Sequence, residues 1–204
     1  MAEFFHSVDK TRLVHYEGIF WNRKYDSITD MESRMYAKPA DIEEYLKSNP
    51  KKPFINCEYM HSMGNSLGGM SLYTDLEDKY EKYQGGFIWD YIDQSIYKKD
   101  RYGKWFLAYG GDFGDRPSDY NFSGNGISYG GERNPSPKMQ EVKFNYQNIT
   151  VNIADRTFTV INKNLFVNTD TFDAWISLQR DGEEVAKTKA SISLSPLHED
   201  TFDL

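Results

Sequence analysis

The stretch that most constrains this 204-residue chain runs from Pro53 to Gly69. The apolar run Pro53-Phe54-Ile55 leads into one carboxylate, Glu58, followed by Tyr59, His61 and a loop carrying Gly64, Gly68 and Gly69. A helical pattern comes next. This order predicts a buried strand that hands a carboxylate to a loop at its carboxyl end, where parallel α/β folds place their chemistry. For Glu-Tyr alone, a strand end with an incidental Glu is the plain alternative.

The same rhythm recurs on either side. Leu13 to Gly18 and Ser33 to Ala37 are strand candidates, and Ile42, Tyr45 and Leu46 fall on one helical face. Asp41, Glu43 and Glu44 suit the first turn of that helix. After the strand from Phe54 to Tyr59, Ser66 to Tyr83 carries a helical stripe of Leu67, Met70, Tyr73, Leu76 and Tyr80. Gly85-Gly86 ends it, and Phe87 to Ile92 is a fourth strand. With no hairpin signal between these strands, the pattern is that of βαβ units and a parallel sheet. Ile96-Tyr97-Lys98 and Lys104 to Leu107 flank a turn and predict a hairpin. Residues 109–134 form a long Gly/Asp/Asn/Ser loop of the kind that is usually functional or disordered, and Pro135-Ser136-Pro137 opens a short helix. From Asn148 the pattern changes to short alternating strands, with Asp181-Gly182 as a hairpin turn. An immunoglobulin-like β-sandwich is the natural reading, but that fold takes about seven strands over about 100 residues. Only the 57 residues from 148 to 204 are there to build it, so the sandwich is truncated.

Cys57-Glu58-Tyr59-Met60-His61-Ser62-Met63-Gly64-Asn65-Ser66 resembles the nucleophile segment of the β-galactosidases of glycoside hydrolase family 2. Gln84 to Ser95, Tyr109-Gly110-Gly111-Asp112-Phe113-Gly114-Asp115 and Val14-His15-Tyr16-Glu17-Gly18 extend the resemblance, in family order, over about residues 7–148. The resemblance implies an α/β fold: a partial (β/α)8 TIM barrel, strands five to eight, over 1–147, followed by the partial sandwich over 148–204. It also implies a retaining glycosidase acting on terminal β-D-galactosides such as lactose. Glu58 would be the nucleophile, and Tyr16 the tyrosine that bonds to it. His61, Trp89 and Asn125 would contact the sugar, with Trp89 as the indole under its apolar face. The Phe122 carbonyl and the Asn125 side chain would hold a sodium ion, both being hard oxygen donors. Magnesium is implied for the whole enzyme, with its ligands upstream of this chain.

Retaining hydrolysis needs two carboxyl groups about 5–5.5 Å apart. The family acid/base, expected after strand four, is not in this chain. The isolated chain is therefore expected to be inactive, and to need the missing N-terminal segments or a complementing chain. A half-barrel leaves a sheet edge and an apolar interior to be covered, and a homo-oligomer is expected of the complete enzyme. The alternative from another class is a non-catalytic carbohydrate-binding or subunit-assembly piece, favoured by an aromatic content of 16 % with fifteen Tyr and four Trp. A third reading makes Cys57 a thiol nucleophile with His61 as its base. Asp90, Asp93, Asp112, Asp115 and Asp119 match no EF-hand spacing and read as groups that order loops.

Composition narrows the partners. A net charge of -7 and a pI near 5.1 argue against nucleic acid or a membrane surface. No apolar run approaches a membrane span, and the N-terminus has no signal-peptide pattern. One cysteine rules out an internal disulfide framework and suits a reducing, cytoplasmic setting.

Overall fold

The computed structural model describes residues 1–204 and divides into two compact units, Met1–Asn145 and Tyr146–Leu204. The first unit opens with helix α1 (Ala2–Val8) and is built on a three-stranded parallel sheet. Its strands are β1 (Glu32–Met35), β2 (Phe54–Tyr59) and β3 (Tyr83–Ile88), in that spatial order. Helix α2 (Pro39–Lys47) connects β1 to β2, and α3 (Ser71–Lys79) connects β2 to β3. Pro39 starts α2 where a missing N–H costs nothing. Ile42 and Leu46, one turn apart, bury against Phe54, Leu76 and Tyr83. A second cluster, Tyr59, Leu67, Met70, Ile127 and Val142, closes the carboxyl end of the sheet. Between β2 and β3 the backbones come so close that a Cβ on Gly86 would lie 2.8 Å from that of Asn56.

The sheet differs from expectation in three ways. Leu13 to Gly18 is not a strand: Asp30 Oδ2 and Thr29 Oγ1 accept the backbone N–H groups of Val14 and Tyr16, and a 3-10 turn begins at Glu17. The sheet thus has three parallel strands rather than four. The last strand starts at Tyr83, not Phe87, and the chain leaves the sheet at Trp89. Helix α3 spans only Ser71–Lys79, because Gly69 takes a positive φ and Tyr80 is extended.

Beyond the sheet, β4 (Ile96–Lys99) and β5 (Trp105–Ala108) form the expected antiparallel hairpin, and α4 (Met139–Asn145) ends the unit. In the second unit, β6 (Ile149–Ala154), β7 (Thr157–Asn162) and β10 (Glu199–Asp203) make an antiparallel sheet in the order β10-β7-β6. A separate hairpin pairs β8 (Ala174–Arg180) with β9 (Glu183–Ala190). Phe158, Val160 and Asn162 alternate into the interior of this unit. Asp181 and Gly182 both have positive φ, as a two-residue type I′ turn requires.

At the amino end of the parallel sheet Glu32, 4 % exposed, receives two hydrogen bonds of 2.7 Å from Arg23 and one of 3.1 Å from Arg34. Burial opposes its charge, but the hydrogen bonds and charges of the two guanidinium groups outweigh it and hold the carboxyl below its ordinary range. This end of such a sheet serves stability rather than chemistry. Glu32→Gln should cost about 2–3 kcal/mol at pH 7, less than for a fully buried pair because Arg23 is half exposed. The charge of Glu32 stabilises fully above its unfolded pKa of about 4.3 and ceases to do so as pH falls through the lower folded value. Urea midpoints of the two proteins should therefore converge below about pH 4; equal midpoints at pH 7 would refute this role.

Candidate active site

The parallel register aligns the strand exits. Met35 is paired with Glu58, and Tyr59 with Ile88, so Tyr36, Glu58 and Trp89 come to one level at the carboxyl end of the sheet. Backbone bonds fix the level: Tyr36 N–H donates to Glu58 O at 2.8 Å, and Trp89 N–H to Tyr59 O at 3.0 Å. Tyr36 leaves β1 with φ 53°, in the left-handed region. A bulky residue there is uncommon and is a feature of functional sites.

This turn delivers the phenol to the carboxylate. Tyr36 Oη donates to Glu58 Oε2 at 2.8 Å, while Oε1 is left without a hydrogen bond. Burial, then the hydrogen bond and charge of Glu58, push the Tyr36 phenol well above its usual range, so it stays a donor. The His61 ring lies 5.8 Å from that of Tyr36 and 5.1 Å from that of Phe122, forming one wall beside the carboxylate. Tyr16 does not take the expected place. It is 58 % exposed, its hydroxyl makes no bond to Glu58, and its ring folds back over Gly18. Tyr36 is the residue that sequence reasoning missed. Its position at the end of the strand candidate preceding Glu58 was the available signal, since neighbouring parallel strands end side by side.

Trp89 is half-buried, and the peptide that follows it is cis. An indole N–H can only donate, so the Asn125 amide turns its oxygen to Trp89 Nε1 at 3.0 Å and its nitrogen to Ser123 O at 3.0 Å. Asn125 has no exposed surface. The loop that carries it is laced to the strand exit: Asp90 N–H donates to Asn125 O, Ile127 N–H to Asp90 O, and Ser128 N–H to Tyr91 O.

The acidic residues order loops. Asp93 accepts from Gly126 N at 2.7 Å and Gly130 N at 3.3 Å, Asp112 from Tyr109 N, and Asp115 from Gly111 N. No three His, Cys, Asp or Glu side chains converge as a metal site. For an alkali cation, the Phe122 carbonyl accepts no hydrogen bond, but the Asn125 oxygen is enclosed and engaged by the indole. One free hard oxygen does not make such a site, so the residues of this chain do not fit a sodium ion by themselves. No helix is long and apolar enough to cross a membrane.

The family profile "Glycosyl hydrolases family 2, TIM barrel domain" matches residues 1–151. The chain is 59 % identical over 200 residues to a β-galactosidase of Halalkalibacterium halodurans, covering 98 % of this chain and 20 % of that protein. It is 55 % identical over 204 residues to a β-galactosidase of Clostridium acetobutylicum, covering 100 % and 22 % respectively. A β-galactosidase of Streptococcus thermophilus is 49 % identical over 223 residues, covering 99 % and 22 %. The chain spans about a fifth of the length of the curated relatives it matches.

Cys57 precedes Glu58 on β2 but has the wrong chemistry for a nucleophile. Burial pushes its thiol up, and the charges of Glu17 and Glu58 add to this. The thiolate is the reactive form. Iodoacetamide at pH 7 should therefore alkylate native Cys57 more slowly than a free cysteine, and unfolding in urea should abolish the difference. Faster reaction in the native protein would restore the thiol reading.

Proposed function

The chain belongs to glycosyl hydrolase family 2, and we propose that it supplies the nucleophile side of a retaining β-galactosidase acting on terminal β-D-galactosides such as lactose. The observation that carries this reading is the Tyr36–Glu58 hydrogen bond at the carboxyl ends of parallel strands. The names of the matched relatives support the substrate class.

In this mechanism Glu58 Oε1, free of hydrogen bonds, attacks the anomeric carbon as the bond from that carbon to the leaving oxygen breaks. A carboxyl group outside this chain protonates that oxygen. The galactosyl ester on Glu58 is then cleaved by water, which gives its proton to the same outside carboxylate. Tyr36 holds the other oxygen of Glu58 throughout, fixing the angle of attack and stabilising the carboxylate as it is released. His61 bonds sugar hydroxyls, and Trp89 supplies the apolar platform. Magnesium and sodium belong to the whole enzyme, and no step here passes through either.

The three parallel strands are the later strands of an eight-stranded barrel, and the second unit begins a β-sandwich. Parallel sheets are ordinarily covered on both faces, yet Met35 in β1 and Phe87 in β3 are 48 % and 63 % exposed. This exposure supports a missing half, supplied by upstream segments or a complementing chain, in a cytoplasmic oligomer. The chain alone, without the acid/base carboxyl, does not turn over.

In the full-length enzyme, a 2-deoxy-2-fluoro-galactosyl fluoride should label Glu58, read by peptide mass. Glu58→Gln should lower kcat at least about 10⁴-fold. Tyr36→Phe should lower it on the order of 10²-fold, as for loss of one transition-state donor, while Tyr16→Phe stays within about twofold. A label on another residue, or full activity in Glu58→Gln, overturns the mechanism. Sugar binding without turnover in the full-length enzyme favours the non-catalytic reading.

A further inference from the structure

We propose that Ser62 is a positioning residue, whose buried side chain and backbone register the His61 ring against the Phe122 ring beside Glu58. This rests on the functional reading above. Ser62 is 0 % exposed, and its hydroxyl, N–H and carbonyl are all engaged. The N–H donates to Trp89 O at 2.7 Å, the hydroxyl donates to Gly126 O at 3.1 Å, and the carbonyl accepts from Lys138 Nζ. Ser62 thereby joins the exits of β2 and β3 to the loop around Gly126 and to the residue that precedes α4.

Its two neighbourhoods are the two walls of the site. His61, one residue earlier, has its own carbonyl bonded by Ser66 Oγ at 2.7 Å. The backbone on the carboxyl side of His61 is therefore held, and with it the point from which the imidazole projects. Lys138 adds a charged donor, the stronger kind of hydrogen bond. Phe122 lies four residues before Gly126 on the facing loop. There Gln94 N–H donates to Ser123 O at 2.8 Å, and Asp93 accepts from Gly126 N–H at 2.7 Å. A Cβ on Gly126 would lie 2.1 Å from Asp93 N, so the loop has one close-packed seat. The His61 and Phe122 rings meet with centroids 5.1 Å apart. Aromatic contacts allow several ring arrangements, so this spacing depends on what holds the two backbones, and the Ser62 hydroxyl ties them directly. Alanine at 62 would keep the packing but leave the buried Gly126 carbonyl beside a methyl, without its donor. The loop would then have to be ordered when sugar binds.

Two measurements in the full-length enzyme test this. Ser62→Ala should raise KM for a β-D-galactoside on the order of tenfold, with kcat within about twofold. In a Phe122→Ala background, where no second ring is left to register, Ser62→Ala should add less than about twofold. An unchanged KM, a loss in kcat alone, or losses that multiply in the double variant would overturn the proposal. The second measurement does not need activity: hydrogen exchange, read by mass spectrometry, of peptides spanning 59–68 and 121–131. The amides of Ile127 and Ser128, bonded to Asp90 O and Tyr91 O at 2.9 Å each, should exchange faster in Ser62→Ala. Peptides of α2 and β1 should exchange as before, because Ile42 and Leu46 pack in a different cluster. Unchanged exchange over 121–131, or faster exchange throughout the sheet, overturns the proposal. Should Ser62→Ala not fold, Lys138→Met removes only the bond to Ser62 O and decides in its place. Higher KM with faster exchange over 59–68 then supports the proposal, and unchanged values overturn it. If the full-length enzyme hydrolyses no β-D-galactoside, the functional reading falls, while the exchange result still decides the Ser62 bridge.

Discussion

The candidate site depends on the parallel ladder that sets Met35 level with Glu58 and Tyr59 level with Ile88. A slip of one residue in either pairing would turn alternate side chains to the opposite face, and Tyr36 would no longer meet Glu58 across 22 residues of chain. What holds the register is packing rather than hydrogen bonding alone. Phe54 is locked among Ile42, Leu46, Leu76 and Tyr83, and Tyr59 among Leu67, Met70, Ile127 and Val142. The two clusters pin the two ends of β2, and Gly86 allows β3 to approach it between them.

The two ends of this sheet handle charge in opposite ways. At the amino end Glu32 is buried and saturated by Arg23 and Arg34, an arrangement that lowers its proton affinity and leaves it nothing to react with. At the carboxyl end Glu58 is half-buried, with one oxygen held by a phenol and the other unbonded. One carboxylate is neutralised on all sides for stability, while the other is oriented and kept available. The loop from Ser123 to Gly130 completes the second arrangement by seating on the exit of β3, through Asp93 and the backbone of Asp90 and Tyr91.

Much of this was legible in the chain. The segment around Glu58 announced a strand, a carboxylate and a glycine loop, and the alternation of Phe158, Val160 and Asn162 announced β7. The Asp181-Gly182 turn was readable because a two-residue I′ turn demands positive φ at both positions. What failed did so for local physical reasons. Leu13 to Gly18 has the composition of a strand, but the side chains of Thr29 and Asp30 satisfy its backbone instead. Strand β10 went unread because Glu199-Asp200-Thr201-Phe202-Asp203 is charged and lies at a sheet edge, where polar residues are tolerated. Tyr16 was preferred to Tyr36 on the resemblance, and nothing in the composition of either segment says which one lies beside β2.

The sequence by itself determined the chemistry on offer: a carboxylate at a strand end, a histidine close behind it, an indole at the end of the next strand, and a βαβ rhythm to carry them. Periodicity and turn residues are local properties, so they can be read from neighbours along the chain. Only the tertiary structure decided which tyrosine bonds to Glu58, and that the loop carrying Asn125 seats on the strand exit at Asp90. Strand register and loop seating arise from contacts between residues distant in sequence, and no short stretch of the chain encodes them.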